Sequence, residues 1–411
     1  VTVRASKYAV TDKLFLWLLT DAAQPVLVGD LDLVRTTKGV SLRYDDTWLA
    51  RGFALSEDLP LVSGDFLPRE RETAAGSVDD ARPDRWGERI IAAVDKPPRR
   101  SVLEYLYFAG HDRFGALGVS LARDRYAPHA TGPLPTLEDT AAIQAIVLKV
   151  LANEPVAERE RRLISPGASM GGAKPKALLD IEGEQWVVKF VSDDPVDTPL
   201  IEHASMTLAN KAKIRTATTR TIALVDGHAV AIKRFDRSGA RRVHALSANV
   251  ALKGAGETLG YPELAQLLRR KGVVQGDVHV AQMRELFRRM VFNILLDNTD
   301  DHEKNHVLLV DDAGHYELSP AFDVLPSGQA LGYQQMRVGT DEADATLVNA
   351  MSMCTQFSLN EDDAAREIRR VISVVDGWKK HFAACGVTKK DIAYLAEQID
   401  RPFLADQRRD F

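Results

Sequence analysis

The chain has 411 residues, 45% of them hydrophobic, and a formal charge of −5, enough length for about two or three domains with cores of their own. That charge argues against a chain that grips nucleic acid by itself, which needs a dense basic footprint. Two cysteines, Cys354 and Cys385, exclude a disulfide framework and fit a reduced, cytoplasmic protein, and no apolar run reaches the ~20 residues of a membrane helix.

The short apolar run 14–19 follows Lys7 and Lys13, but it is shorter than a signal-peptide core of ~7–15 residues and reads as a strand. Val40, Leu42 and Tyr44 alternate with Ser41 and Arg43, the period of a half-buried strand. Pro97 and Pro98 break the chain before Ser101, which with Glu104 has the spacing of a capping box. Thr131-Gly132-Pro133-Leu134-Pro135 reads as a linker, followed by a helix over about 137–153.

From Ser165 the character changes. A glycine-rich turn precedes a hairpin with strands near 177–181 and 186–191, then a helix near 200–213 and strands near 219–225 and 228–235. Beyond Tyr261 the chain is mainly helical. Three segments result: a mixed α/β N-terminal subdomain over 1–135, a small strand-rich lobe over 136–245, and a helical lobe over 246–411. The fold class expected is α/β (α+β), with the bilobal order of a protein kinase.

Met283, Leu286, Phe287, Met290, Val291, Ile294 and Leu295 recur at helical spacing and deliver the chain to D-D-H-E-K-N at 300–305. Phosphoryl transfer needs a carboxylate to orient the attacking hydroxyl and oxygen ligands to hold magnesium on the phosphates. Protein kinases place an Asp and an Asn with four residues between them for this, the separation of Asp300 and Asn305, with a second Asp beyond a hairpin. Asp323 in A-F-D-V follows such a hairpin, predicted over 306–310 and 316–318. Earlier, Ser169-Met170-Gly171-Gly172-Ala173-Lys174-Pro175-Lys176 offers glycine amides and lysines to phosphate, though no Walker ending follows. Lys189 stands inside the apolar strand W-V-V-K-F, where a buried cation needs an anion, and Glu202 is the nearest carboxylate on the next helix.

Together S-M-G-G-A-K-P-K, the strand lysine, R-F-D-R at 234–237, N-T-D-D-H-E-K-N at 298–305 and L-S-P-A-F-D at 318–323 resemble the HipA family of bacterial type II toxin serine/threonine kinases. D-R-F-G-A-L at 112–117 is similar to the family's N-terminal domain, so the resemblance covers most of the chain. It implies ATP and Mg2+ as cofactors, Asp300 as catalytic base, Asn305 and Asp323 as magnesium ligands and Lys189 on the phosphates. Gly171, Gly172, Ala173 and Lys174 would line the phosphate loop, Lys233, Arg234 and Phe235 the adenine hinge, and His302 would lie near the phosphates. The resemblance further implies inactivating autophosphorylation at Ser169, with Ser165 competing for that assignment. It implies a toxin of a toxin–antitoxin system with a helix-turn-helix antitoxin of HipB type, and DNA reached only through that partner. A protein substrate such as an aminoacyl-tRNA synthetase completes what it implies.

Other readings have distinct expectations. A zinc hydrolase would use His302 and His306, four residues apart, but lacks an H-E-x-x-H string. A phosphoinositide-type lipid kinase or a small-molecule kinase would share the same trio with a different acceptor. A non-catalytic scaffold would have lost Lys189, Asp300 or Asp323, and all three are present.

Overall fold

The computed structural model describes residues 8–166, 172, 174–191 and 194–411, so Ser169, Gly171 and Ala173 lie outside the described residues. The chain forms two compact units, one from residues 1–183 with 236–244 and the other from 184–235 with 245–411.

The first unit contains β1 (Lys13–Leu18), β2 (Val26–Val34), β3 (Gly39–Tyr44), α1 (Asp46–Arg51), β4 (Asp65–Phe66), α2 (Arg85–Val94), α3 (Val102–Phe108), β5 (Leu117–Ser120), α4 (Thr140–Leu151) and β6 (Lys176–Ile181). Five strands form an antiparallel sheet in the order β4-β3-β2-β1-β5. Val40, Leu42 and Tyr44 of β3 are buried and Arg43 faces out, as the alternation predicts, but Ser41 is buried too, and the three apolar residues join Leu14, Leu16, Val28 and Leu31 in one core. The capping box at Ser101 does not form. Ser101 instead donates from Oγ to Glu104 Oε2 at 2.5 Å, and Glu104 is taken by Arg99 at 2.9 Å and by the Tyr8 hydroxyl at 2.8 Å. A buried carboxylate with a cation available outbids a helix amide.

The compact units are drawn differently from the three segments expected. Residues beyond 135 stay with the first unit because hydrogen bonds return them to it: Arg89 donates to Leu151 O at 2.7 Å, Trp86 Nε1 to Lys176 O at 2.8 Å, and Asp180 N to Pro135 O at 2.8 Å. The segment 236–244, with the short strands β10 (Arg237–Ser238) and β11 (Arg241–Arg242), also belongs to it. Asp236 is fully buried and accepts from Gly115 N at 2.8 Å. Arg237 donates to Arg113 O at 2.7 Å and Gly115 O at 3.0 Å, while the Arg113 guanidinium itself binds the carbonyls of Leu106, Gly110 and Ala81. The D-R-F-G-A-L motif and the second half of R-F-D-R are therefore two sides of one buried polar joint.

The second unit begins with β7 (Glu184–Phe190), α5 (Thr198–Lys211), β8 (Thr219–Ala223) and β9 (His228–Lys233), with β9 central and antiparallel to both other strands. Ala229 and Ala231 on β9 are small and buried, and α5 packs against this strand. Arg220 covers the Trp186 ring at 5.0 Å. After β12 (His244–Ser247) come α6 (Ala248–Ala255), α7 (Tyr261–Lys271), α8 (Val278–Leu295), the hairpin β13 (Val307–Val310) and β14 (Tyr316–Leu318), then α9 (Leu347–Ser352), α10 (Glu361–Val375), α11 (Trp378–Ala384), α12 (Lys389–Ile399) and α13 (Pro402–Asp410). The apolar stripe of α8 is buried, and so are Arg289, Phe292 and Asn293, which makes α8 the axis of the helical region. No helix among the described residues is long and apolar enough to cross a membrane.

Candidate active site

Lys189 lies eight residues before the N-cap of α5 at Asp197 and is paired with Val230 across the sheet. It is only 7% exposed. Its Nζ sits 2.7 Å from Glu202 Oε1 on α5 and 2.7 Å from Asp323 Oδ1. Burial works against the ammonium charge, but Asp323 and Glu202 outweigh it and hold Lys189 well above its ordinary range. The strand lysine thus finds the helix glutamate expected of it and also gathers the second aspartate.

Asp323 occupies left-handed backbone at φ +57°, a conformation that costs energy outside glycine and that its surroundings must enforce. They do so on both sides. Ala321 exchanges main-chain hydrogen bonds with Arg215 and Ala217 at 2.8 and 2.9 Å, and the Phe322 ring meets Phe235 at 5.5 Å.

The loop after α8 is held as firmly. Asn298 N returns to Asn293 O at 2.9 Å, and Asp297 carries its carboxylate to Arg401 at 2.6 Å. The hydroxyls of Thr299 and Ser327 meet at 2.5 Å, and Ser327 N donates to Asp297 O at 2.9 Å. Within this frame Asp300 is exposed and Asp301 is buried. The turn Glu303–Asn305 then folds Asn305 inward, with Asn305 N on His302 O at 2.9 Å.

Asn305 Oδ1 is buried with no hydrogen-bond partner among the described residues. An orphaned amide oxygen there and a carboxylate at Asp323 are hard oxygen donors of the kind magnesium takes, so these residues fit a magnesium–nucleotide site. His302 is half-buried, and its Nδ1 also lacks a partner among the described residues. His306 commits Nε2 to Asp301 at 2.8 Å. Among the described residues no group of three or more His, Cys, Asp or Glu side chains is arranged to hold a metal.

At the expected hinge, Lys233 N donates to Thr218 O at 2.9 Å and Arg234 N to Gln185 O at 3.0 Å, so both amides are spent inside the sheet region. The Lys233 and Arg234 side chains meet Glu184 at 2.5 Å and Gln185 at 3.1 Å. Of the glycine-rich stretch, Gly172 has φ +93° and Lys174 is exposed. Lys176 is buried and reaches Asp84 at 2.5 Å and Gly172 O at 3.2 Å. Ser165 is buried too, whereas Ser169 lies outside the described residues. The sequence reading gave no role to Asp301. The signal was present as a second aspartate beside Asp300, but its inward orientation was not.

A strand lysine tied to a helix glutamate, a loop aspartate ahead of a buried asparagine, and a second aspartate beyond a hairpin define a protein-kinase-like fold. Residues 168–378 match the HipA-like C-terminal domain and residues 23–120 the HipA N-terminal domain. The chain belongs to the HipA family. HipA of Shewanella oneidensis MR-1, solved with HipB and operator DNA, superposes with a TM-score of 0.67 over 97% of each chain at 15% identity, a likeness of fold. A putative kinase, Y4dM of Sinorhizobium fredii, is 31% identical over 160 residues, covering 35% of this chain and 37% of that relative's length. The Helicobacter pylori proinflammatory kinase CtkA aligns with a TM-score of only 0.40 at 14% identity, over 58% of this chain and 91% of its own.

Proposed function

We propose that this chain is an ATP-dependent serine/threonine kinase of HipA type, acting as the toxin of a toxin–antitoxin pair in the cytoplasm. The observation that carries the reading is Lys189 held between Glu202 and Asp323, each at 2.7 Å, in a unit that also presents Asp300 and Asn305 on a braced loop. Lys189 would bind the α/β-phosphates of ATP while Glu202 keeps its ammonium aimed. Asp300, exposed to an incoming substrate, would accept the hydroxyl proton as the oxygen–phosphorus bond forms and the bond to the β-phosphate breaks, releasing ADP. Asn305 and Asp323 would hold Mg2+, which when bound neutralises charge on the phosphates. His302 would lie near the phosphates, and the main chain around Lys233, Arg234 and Phe235 beside the adenine.

The acceptor in this reading is a protein hydroxyl, with an aminoacyl-tRNA synthetase as one target class, and Ser169 is the self-modified residue. The burial of Ser165 supports Ser169 over it. A HipB-type helix-turn-helix antitoxin would be the partner, as HipB accompanies HipA in the Shewanella oneidensis complex, and DNA would be reached through it. Intact-mass spectrometry after incubation with ATP and Mg2+ tests this: wild type should gain one phosphate at Ser169 and Asp300→Ala none. ATP binding without any gain would shift the acceptor to a small molecule or lipid. Neither binding nor gain would leave a scaffold.

A further inference from the structure

Consecutive residues Asp300 and Asp301 face opposite ways, and only the outward one is accounted for by phosphoryl transfer. Asp301 is buried at a point where three elements converge on one carboxylate oxygen. Its Oδ2 accepts from Asn293 Nδ2 of α8 at 2.9 Å, from His306 Nε2 at 2.8 Å, and from the hydroxyl of Tyr261, the first residue of α7. Asn293 uses its other amide atom, Oδ1, to accept from Asn298 Nδ2 at 3.1 Å. The loop 298–305 is thereby fastened before Asp300 through Asn298, directly after it through Asp301, and at its far end through His306, the neighbour of Asn305. Burial works against the Asp301 charge, but His306 and Tyr261 more than offset it, so the carboxyl lies below its usual range. A carboxylate oxygen accepting from three donors on separate elements is a rigid anchor.

We propose that Asp301 is the positioning residue of the transfer site, fixing Asp300 and Asn305 relative to each other through Tyr261, Asn293 and His306. This rests on the kinase reading above. It differs from a general stabilising role because the residues it orients act on the acceptor and on Mg2+, whereas Lys189 and Glu202 stand on other elements.

The test compares full-length wild type, Asp301→Asn and Tyr261→Phe for kcat, half-saturating Mg2+ and ATP affinity, with thermal melting as the fold control. Asp301→Asn keeps the shape and loses the charge, so kcat should fall about 10–100-fold and the Mg2+ requirement rise about 10-fold, with ATP affinity within about twofold. Tyr261→Phe leaves two of three donors and should lower kcat by about 3–10-fold without altering ATP affinity. Active wild type with unchanged kcat and Mg2+ dependence in a folded Asp301→Asn overturns the positioning role. So does a parallel loss of kcat, ATP affinity and melting temperature, which is plain destabilisation. Should Asp301→Asn fail to fold, Tyr261→Phe decides by the same split. Wild type that transfers no phosphate to any acceptor refutes the kinase reading itself, and the positioning role falls with it.

Discussion

Replacing Lys189 by Met would remove the cation that two carboxylates share at 2.7 Å each. The two anions left behind are not equivalent: the Glu202 side chain is 2% exposed and the Asp323 side chain 19%. Asp323 can recover hydration by a small movement, but Glu202 cannot, so the cost is that of removing one partner from a buried ion pair, about 3–5 kcal/mol. That cost depends on pH with a definite sign. Without the ammonium, burial favours the protonated over the ionised form of the Glu202 carboxyl, so protonation relieves the folded variant more than the unfolded chain. Stability therefore recovers as pH falls and is lost as pH rises. In wild type the raised Lys189 contributes stability that is present below its unfolded value of about 10.4 and is lost only as pH climbs past the folded one. Urea unfolding of both proteins at about pH 8 and about pH 5.5 should show the deficit of Lys189→Met shrinking at the lower pH. A deficit below about 1 kcal/mol at pH 8, or one identical at both pH values, would refute the reasoning.

Asp300→Ala should lower phosphoryl transfer about 10²–10⁴-fold, while its melting temperature matches wild type because the side chain is exposed. Calorimetric scans and radiolabelled ATP check the two halves separately. Ser165→Ala should leave the phosphate gained by the chain in place, whereas Ser169→Ala should abolish it, as peptide mapping will read. Acid should weaken the first unit: burial, with Arg242 beside His111, lowers His111 to about 4, and burial lowers His244 to about 4. The unfolded chain takes up those protons at about 6.5, so stability is lost as pH falls from there toward 4, and fluorescence-monitored unfolding across that window should show the decline.

The candidate site residues were legible because kinase chemistry fixes the order and spacing it needs along a chain. Lys189 in an apolar strand, Asp300 and Asn305 after a helix, and Asp323 after a hairpin need no tertiary knowledge to find. What surrounds them was less legible. Asp301 looks like Asp300 in one dimension, and only the convergence of Tyr261, Asn293 and His306 separates the buried aspartate from the exposed one. The pairing of Gly115 with Asp236 spans 121 residues, beyond any local pattern. Ser101 and Glu104 had the correct spacing for a cap, but Arg99 and Tyr8 compete for the same carboxylate. The linker-like 131–135 stretch marks a loop, since Pro135 is drawn back to Asp180.

The first unit is discontinuous in sequence, and that bears on how the protein is made. Chains leave the ribosome from the N-terminus and domains tend to fold as they emerge. Here nearly all of that unit has emerged by residue 183, yet Asp236 and Arg237, which satisfy Gly115 N and the carbonyls of Arg113 and Gly115, come later. Until residues 236 and 237 are translated those groups lack the partners they have in the folded unit, and by then residues 184–235 of the other unit are already synthesised. The nascent chain therefore carries an incomplete N-terminal unit through synthesis of the strands that include Lys189.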